Sequence, residues 1–558
     1  MKTRSFYGSI AIFSLAVLAA CSRTNTGAST AIPHLQKQGT ATQLIVDGKP
    51  FLVLAGELRG NSASNLPYWK RVVWPRVVAQ AKLNTILAAV SWAQVEPQEG
   101  KFEFSVLDSV IRDARSHNLR LVLLWFATWK NGLSSYPPDW VKRDFERFPR
   151  AQIAGGKSIE LLSPLGDATR DADARAFAAL MRHIKAVDGR EHTVIMIQVE
   201  NEIGMQRDSR DRSPLANAAY EAPVPKELMD YLQNHKDSLV PEFRQVWEAT
   251  GFKTSGTWED VFGRSPATDE IFMGWNFARH VGRVAEAGKA EYPLPMFVNA
   301  YVVGFPKTNQ RGNPQSGSPM PDLLDVWRAA APRIDILGVD AYGEFAEPYA
   351  KYNRSGNPLF IPESRGGPEG AARVLYAFGR HDAIGFSSSG IDGPMTPDND
   401  LMSSYDLIAQ LAPLIAEHQG KGTMSAVLLR GPADPPQKIQ VGNYTLEVAF
   451  LGPRAIPWEP PPPQNQPPSA AIFIAAGPDE YYVAGNGVRV TFSPDTPGPP
   501  FAGLATIEEG TFVDGRWVAG RRLAGDDAGQ GDYLDLRNQR LDGDPDRGIQ
   551  RVTLYRYR

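Results

Sequence analysis

The fold this sequence predicts is α/β: a (β/α)8 TIM barrel followed by a smaller C-terminal all-β sandwich-like domain. Three observations point there. Between Leu44 and Gly393, eight short apolar runs alternate with amphipathic stretches. Two of these runs, Val194–Val199 and Pro358–Ile361, lead straight into carboxylates, as barrel strands do at the C-terminal face that carries chemistry. Beyond Gly422 the pattern changes to short alternating strands separated by turns rich in Gly, Pro and Asp. A chain of 558 residues is long enough for both units.

The first element is not part of the fold. Lys2 and Arg4 precede an apolar stretch, Ile10 to Ala20, too short for a usual membrane span. It ends in Leu18-Ala19-Ala20-Cys21, which resembles a bacterial lipoprotein signal with Cys21 as the lipidated residue. Residues 1–20 are therefore expected to be a signal peptide and 21–40, rich in Thr, Ser, Ala and Gly, a flexible tether. Cys21 is the only cysteine, so no disulfide can form within the chain. By the same resemblance, Ser22 after the cysteine points to export and lipid anchoring at the bacterial outer membrane, on its periplasmic face or at the cell surface.

The barrel is expected over 41–420. Its strands are read at Phe51–Ala55, Thr85–Val90, Leu119–Trp125, Val194–Val199, Met296–Tyr301, Ile334–Val339, Pro358–Ile361 and Ala383–Phe386. Leu107, Val110, Ile111 and Ala114 have the i, i+3, i+4, i+7 spacing of a helix over 107–116. Two long intervals, Lys130–Gly166 and Met205–Phe272, follow the third and fourth strands, where insertions shape a cleft. A last helix is read over Tyr405–His418. The β domain, 421–558, is expected to contain strands at 426–429, 444–450, 471–475, 488–492 and 552–555. Glu459-Pro460-Pro461-Pro462-Pro463 reads as a stiff loop inside it.

The fourth run closes on Gln198-Val199-Glu200-Asn201-Glu202-Ile203-Gly204, and the seventh on Pro362-Glu363. A glutamate at a strand end is also an ordinary turn or capping residue. Two of them, at the ends of strands 4 and 7, make the pair a retaining glycosidase needs: a protonated acid and an ionised nucleophile roughly 5–5.5 Å apart. An ionised Glu363 would raise the pKa of Glu202 by like-charge repulsion.

These residues resemble glycoside hydrolase family 35 β-galactosidases. The strand-4 segment looks like that family's QVENEYG signature, with Ile203 in the Tyr place. Ser91-Trp92-Ala93-Gln94-Val95-Glu96-Pro97 with Gly100-Lys101-Phe102-Glu103-Phe104 resembles its W-N-x-H-E-P…G-x-x-x-F segment, and Gly56-Glu57-Leu58 its first-strand G-E-I. The pattern also shares features with family 42, and looks closest to a bacterial branch acting on xyloglucan side chains. The resemblance implies Glu202 as acid/base, Asn201 holding the sugar 2-hydroxyl and Glu200 as a supporting group. Glu363 as nucleophile rests on strand order, because Ile361-Pro362-Glu363-Ser364-Arg365 departs from the family's S-E-F. Ala89 and Ala127-Thr128 stand where the family has a Tyr and an Ala-Glu pair among its galactose contacts, so a different sugar stays open.

Around that pair, Trp125 and Trp129 offer either sugar-stacking faces or core packing. Tyr342 is placed to orient the nucleophile. Asn299 serves either the cleft or a turn, and Glu57 either a sugar hydroxyl or an ion pair with Arg59 or another cation. The expected activity is a retaining exo-β-galactosidase on plant-type oligosaccharides such as xyloglucan side chains. Its alternatives are a β-glucosidase, β-glucuronidase or endo-glucanase on the same barrel, or a non-catalytic surface glycan-binding lipoprotein.

No cofactor is expected. The eight His are scattered, without HxH or HExxH spacing, so no catalytic metal is expected either. Gly385–Gly390 lacks the G-x-S-x-G spacing of a serine nucleophile. A net charge of −3 gives no reason to expect nucleic acid, which demands clustered Lys and Arg. With 12 Trp, 18 Tyr and 25 Phe, the chain has the aromatic content to build a large core and to stack on sugars.

Overall fold

The computed structural model describes residues 31–80, 82–302, 315–394, 397–452, 466–537 and 548–558. Each of the eight apolar runs contributes a strand: β1 (Val53–Glu57), β2 (Thr85–Ser91), β3 (Arg120–Lys130), β4 (Val194–Asn201), β5 (Met296–Val302), β6 (Ile336–Ala341), β7 (Phe360–Ile361) and β8 (Gly385–Ser389). They form one parallel sheet in the order β6-β5-β4-β3-β2-β1-β8-β7, and a parallel bridge between Ala341 and Ser364 brings its two edges together. β7 is two residues long for a chemical reason. Pro358 and Pro362 flank it, and neither has an N–H to give a ladder.

Strand alternation sorts the side chains. Val53 and Ala55 of β1 and Val122, Leu124 and Phe126 of β3 fill the barrel interior, while Leu121, Leu123, Trp125, Ala127 and Trp129 face the surrounding helices. The expected helix runs over α1 (Ser105–Ser116), and its predicted stripe is buried. Each such aliphatic side chain contributes about 1.5–3 kcal/mol when fully buried. Helices α2 (Asp167–Asp188) and α3 (Pro266–Glu291) cover the strand-3 and strand-4 side. Helices α4 (Gly367–His381) and α5 (Asn399–His418) cover the side toward the β domain. α5 begins six residues before its sequence reading because the Asp398 side chain caps it, accepting the Leu401 N–H at 3.1 Å.

Among the described residues, the β domain has a six-stranded and a four-stranded sheet around a core that includes Tyr444, Leu446, Phe473 and Val490. All five strands read from the sequence are present. Gln437–Val441, Glu480–Asn486, Phe501–Val513, Arg516–Leu523 and Leu534–Leu536 were missed. Arg516–Leu523 shows why: it is a largely exposed edge strand and has no buried face to pattern. The domain seats on α4 through Gly379, where an added Cβ would come 2.7 Å from Ala426 and 2.8 Å from Ile472.

One expectation is corrected. The stretch 34–38, assigned to the tether, is a strand. His34–Gln38 pairs antiparallel with Ala41–Val46, whose Leu44 and Val46 join the core inside the barrel. The Gln38 amide donates to the Ala416 carbonyl at 2.6 Å, satisfying the end of α5. The apolar surface of its partner strand thus orders a segment that looks like a linker by composition. Residues 1–20, Cys21 and the Pro460–Pro463 run lie outside the described residues, although strands flank that run on both sides within the β domain.

Candidate active site

At the C-terminal mouth of the barrel, one carboxyl oxygen each from Glu202, Asp340 and Glu363 lies within 4.8 Å of the others. The local backbone explains how β4 delivers its share. Glu200 and Glu202 adopt left-handed φ values of 63° and 43°, uncommon outside glycine. The turn at Glu200 breaks the strand alternation. Its own carboxyl goes to the helix side, beside Asp173, while Asn201 and Glu202 enter the mouth.

Asn299, midway along β5, ties the centre together. Its Oδ1 accepts the backbone N–H of Glu202 at 2.9 Å. Its Nδ2 donates to Asp340 at 2.7 Å and to Glu363 at 3.4 Å. Tyr342 donates to Glu363 Oε2 at 2.6 Å and also meets the Ser389 hydroxyl. Asn201 Nδ2 donates to Glu363 Oε1 at 3.4 Å. The predicted residues Glu202, Glu363, Asn201, Asn299 and Tyr342 are therefore brought together.

Glu57 also belongs to the site. With Lys130, Tyr342, Glu363, Arg365 and Ser389 it lines an open cavity of ≈ 740 Å³, the size of a sugar-scale binding cleft. The expected alternative partner, Arg59, instead pairs with Asp392 at 3.4 Å.

The two tryptophans are corrected. Trp125 and Trp129 are both fully buried. Trp125 Nε1 donates to Asp173 at 2.8 Å, and Trp129 Nε1 to the Leu162 carbonyl at 3.0 Å, with its ring against Phe277 and His280. Strand alternation puts Trp125 on the helix side of β3, and Trp129 packs there from a bulge in the strand, so neither faces the cavity. Ala89 packs in the barrel interior, and the Thr128 hydroxyl donates to Asp173 at 2.6 Å.

Burial pushes the Glu202 carboxyl up to about 8, with the nearby Glu363 adding to the rise and Lys130 opposing it. Like-charge repulsion, the cause read from the sequence, ranks second to desolvation. Burial, then Glu363, also raises Glu57 and Asp340 well above the usual carboxylate range. Burial raises the Tyr342 hydroxyl too, so it stays a neutral donor.

A second buried network lies behind β4. Glu200 accepts the backbone N–H groups of Thr128 at 3.1 Å and Trp129 at 2.6 Å. Burial and then Asp173 raise its pKa. That of Asp173 is lowered: burial opposes the shift, but hydrogen bonds from His280, Glu200 and Thr128 outweigh it. The pair therefore holds a proton on Glu200. Asp173, Glu200 and His280 have metal-capable atoms within 4.8 Å of one another, yet both carboxyls are taken up by N–H and O–H donors, a donor set suited to a closed hydrogen-bond network.

Sequence reasoning missed Lys130 and Asp340. Asp340 had a signal, because it ends the sixth apolar run just before Tyr342. For Lys130, the third run was read five residues short, and the long strand that delivers it was not seen.

Residues 68–269 match the family model of glycoside hydrolase family 42, described as "Beta-galactosidase". Over that stretch the chain is similar to glycoside hydrolases. The match contains Lys130, Glu200, Asn201 and Glu202 and ends before Glu363. Residues 401–534 match a model described as a domain of unknown function, DUF5597, which takes in α5 and most of the β domain.

The chain is 30% identical over 184 residues to a β-galactosidase of Xanthomonas manihotis, covering 32% of this chain and 27% of that protein. It is 40% identical over 67 residues to "Beta-galactosidase 11" of Arabidopsis thaliana, covering 12% of this chain and 7% of that one. It thus spans about a quarter or less of the length of these relatives. Among solved structures, it is similar to a β-galactosidase from Bacillus circulans sp. alkalophilus (TM-score 0.42, 14% identity, 65% of this chain and 57% of that). It is also similar to one from Rahnella sp. R3 (TM-score 0.44, 16% identity, 66% and 57%).

Proposed function

We propose that this protein is a retaining exo-β-galactosidase of the family 35/42 type that removes terminal galactose from plant-type oligosaccharides such as xyloglucan side chains. The observation that carries the reading is the Glu202–Glu363 pair. One oxygen of each approaches within 4.8 Å, a closeness that accords with the roughly 5–5.5 Å carboxyl separation of a double-displacement pair. In this reading Glu363 attacks the anomeric carbon while Glu202 protonates the departing oxygen. The covalent glycosyl-enzyme is then hydrolysed by water that Glu202 deprotonates. A Glu202 pKa near 8 keeps the acid protonated at neutral pH. Tyr342 and Asn299 hold Glu363 in line, and Asn201 serves the 2-hydroxyl.

The test is a pair of measurements on an aryl β-galactoside. Glu202→Ala should lose turnover that azide restores, and a 2-fluoro-galactosyl fluoride should label Glu363. Label on another carboxylate would remove the nucleophile assignment. A panel of aryl glucosides and glucuronides with xyloglucan oligosaccharides tests the sugar, since Ala89 and Thr128 leave the galactose contacts to other groups.

We also propose that the chain is exported and lipid-anchored through Cys21 at the outer membrane. Fatty-acid labelling that persists in Cys21→Ala would overturn that.

A further inference from the structure

Beyond lining the cavity and opposing the rise of the Glu202 pKa, Lys130 takes no step in the chemistry above, yet the fold goes to some length to place it. Strand β3 pairs Trp125 with Val199 and next pairs Lys130 with Asn201, so residues 126–129 bulge out opposite Glu200 alone. The Glu200 carboxyl takes up the N–H groups that this bulge leaves without a ladder. Directly after Lys130, Asn131 and Gly132 form a tight turn with φ values of 53° and 69°, closed by the Lys130 N–H on the Leu133 carbonyl at 2.8 Å. The Asn131 N–H donates to the Asn201 carbonyl at 3.1 Å. The Lys130 ammonium ends 4.2 Å from the centre of the Phe126 ring and donates to Asn201 Oδ1.

An ammonium has donors and no acceptor, so only the oxygen of the Asn201 amide can face it. The amide nitrogen must then point the other way, where Glu363 Oε1 accepts it at 3.4 Å. We propose that Lys130 is the positioning residue that fixes the Asn201 amide. Through it the site selects glycosides with a free 2-hydroxyl. The inference rests on the retaining-glycosidase reading above.

The test uses the full chain, a nitrophenyl β-galactoside and its 2-deoxy counterpart. Lys130→Met keeps an unbranched side chain and removes the donor. We expect kcat/KM to fall about tenfold or more on the 2-hydroxy substrate and less than about twofold on the 2-deoxy one. Lys130→Arg should recover part of the loss. In an Asn201→Ala background, Lys130→Met should cost little more, because the two act as a unit. Equal losses on both substrates, or additive losses in the double variant, would overturn the proposal. If Lys130→Met does not fold, Lys130→Leu, which also lacks a donor, is read by the same ratio. Absence of wild-type turnover on every aryl glycoside would overturn the glycosidase reading itself, and this one with it. Wild-type turnover with an unchanged 2-hydroxyl preference in the variant would sink this proposal alone.

Discussion

The backbone N–H of Glu202 donates to the side-chain oxygen of Asn299 at 2.9 Å, so β5 holds the candidate acid by its main chain. Glu202 sits at a φ of 43°, a conformation that costs on the order of 1–3 kcal/mol unless its surroundings impose it. Asn299→Ala removes that restraint and also leaves buried Asp340 without its amide donor. We expect turnover to fall about 10- to 100-fold and stability by about 1–3 kcal/mol. Steady-state kinetics and denaturant unfolding check the two effects separately.

The pH dependence follows from burial of Glu202. Its folded pKa, about 8, lies above the ordinary 4.5. The catalytic acid is protonated below about pH 8, so kcat/KM should decline as pH rises through that value. Stability has the same sign. A carboxyl with a raised folded pKa contributes fully below pH 4.5, and its contribution is lost as pH climbs toward 8. Glu202→Gln should therefore be inactive yet gain stability over the wild type across that window. Melting curves at pH 4.5 and 8 would show it; an unchanged difference between the two proteins would count against the buried, protonated acid.

Tyr342→Phe removes the 2.6 Å hydrogen bond to Glu363 and leaves the ring in place against Tyr301. A hydrogen bond to a charged acceptor contributes about 1.5–3 kcal/mol. A fall of about 10- to 100-fold in kcat is expected, with the melting temperature nearly unchanged. Trapping of the glycosyl-enzyme should slow in step.

The Glu200–Asp173 pair predicts a contrast between two substitutions. Gln at 200 keeps an oxygen for one backbone N–H and an N–H for Asp173, but leaves the other backbone N–H without the acceptor that the protonated acid gives it. Its cost should be about 1–3 kcal/mol. Asp173→Ala leaves Trp125 Nε1, the Thr128 hydroxyl and His280 without their buried acceptor and should cost about 3–5 kcal/mol. Chemical denaturation of both variants checks the shared-proton arrangement.

Trp129 provides the check on its reassignment from sugar platform to core. Trp129→Ala should cost about 3–5 kcal/mol of stability. Trp129→Phe, which keeps most of the packing against Phe277, should leave KM within about twofold of wild type. A large KM change in a stable Trp129→Phe would restore the ring to the cleft.

Much of this was legible in the sequence because its causes are local. The eight strands are short apolar runs, and a chain can bury such runs in a parallel sheet only when helices lie between them. Glu202 and Glu363 could be picked out because each directly follows such a run, and a strand end in this fold is a position in the mouth. Strand parity was legible as far as Trp125: counting alternate residues from Val122 puts that ring on the helix side, against its expected place at the sugar, whereas Trp129 lies in the bulge and takes its place from tertiary contacts. Tertiary structure decided what depends on neighbours far along the chain. The strand at His34–Gln38 exists because Ala41–Val46 lies beside it and plugs the barrel. Lys130 meets Asn201 because a carboxyl group on β4 fills a bulge on β3. The pKa of Glu202 is raised chiefly by desolvation, and burial is a property of the assembled mouth that no run of residues carries by itself.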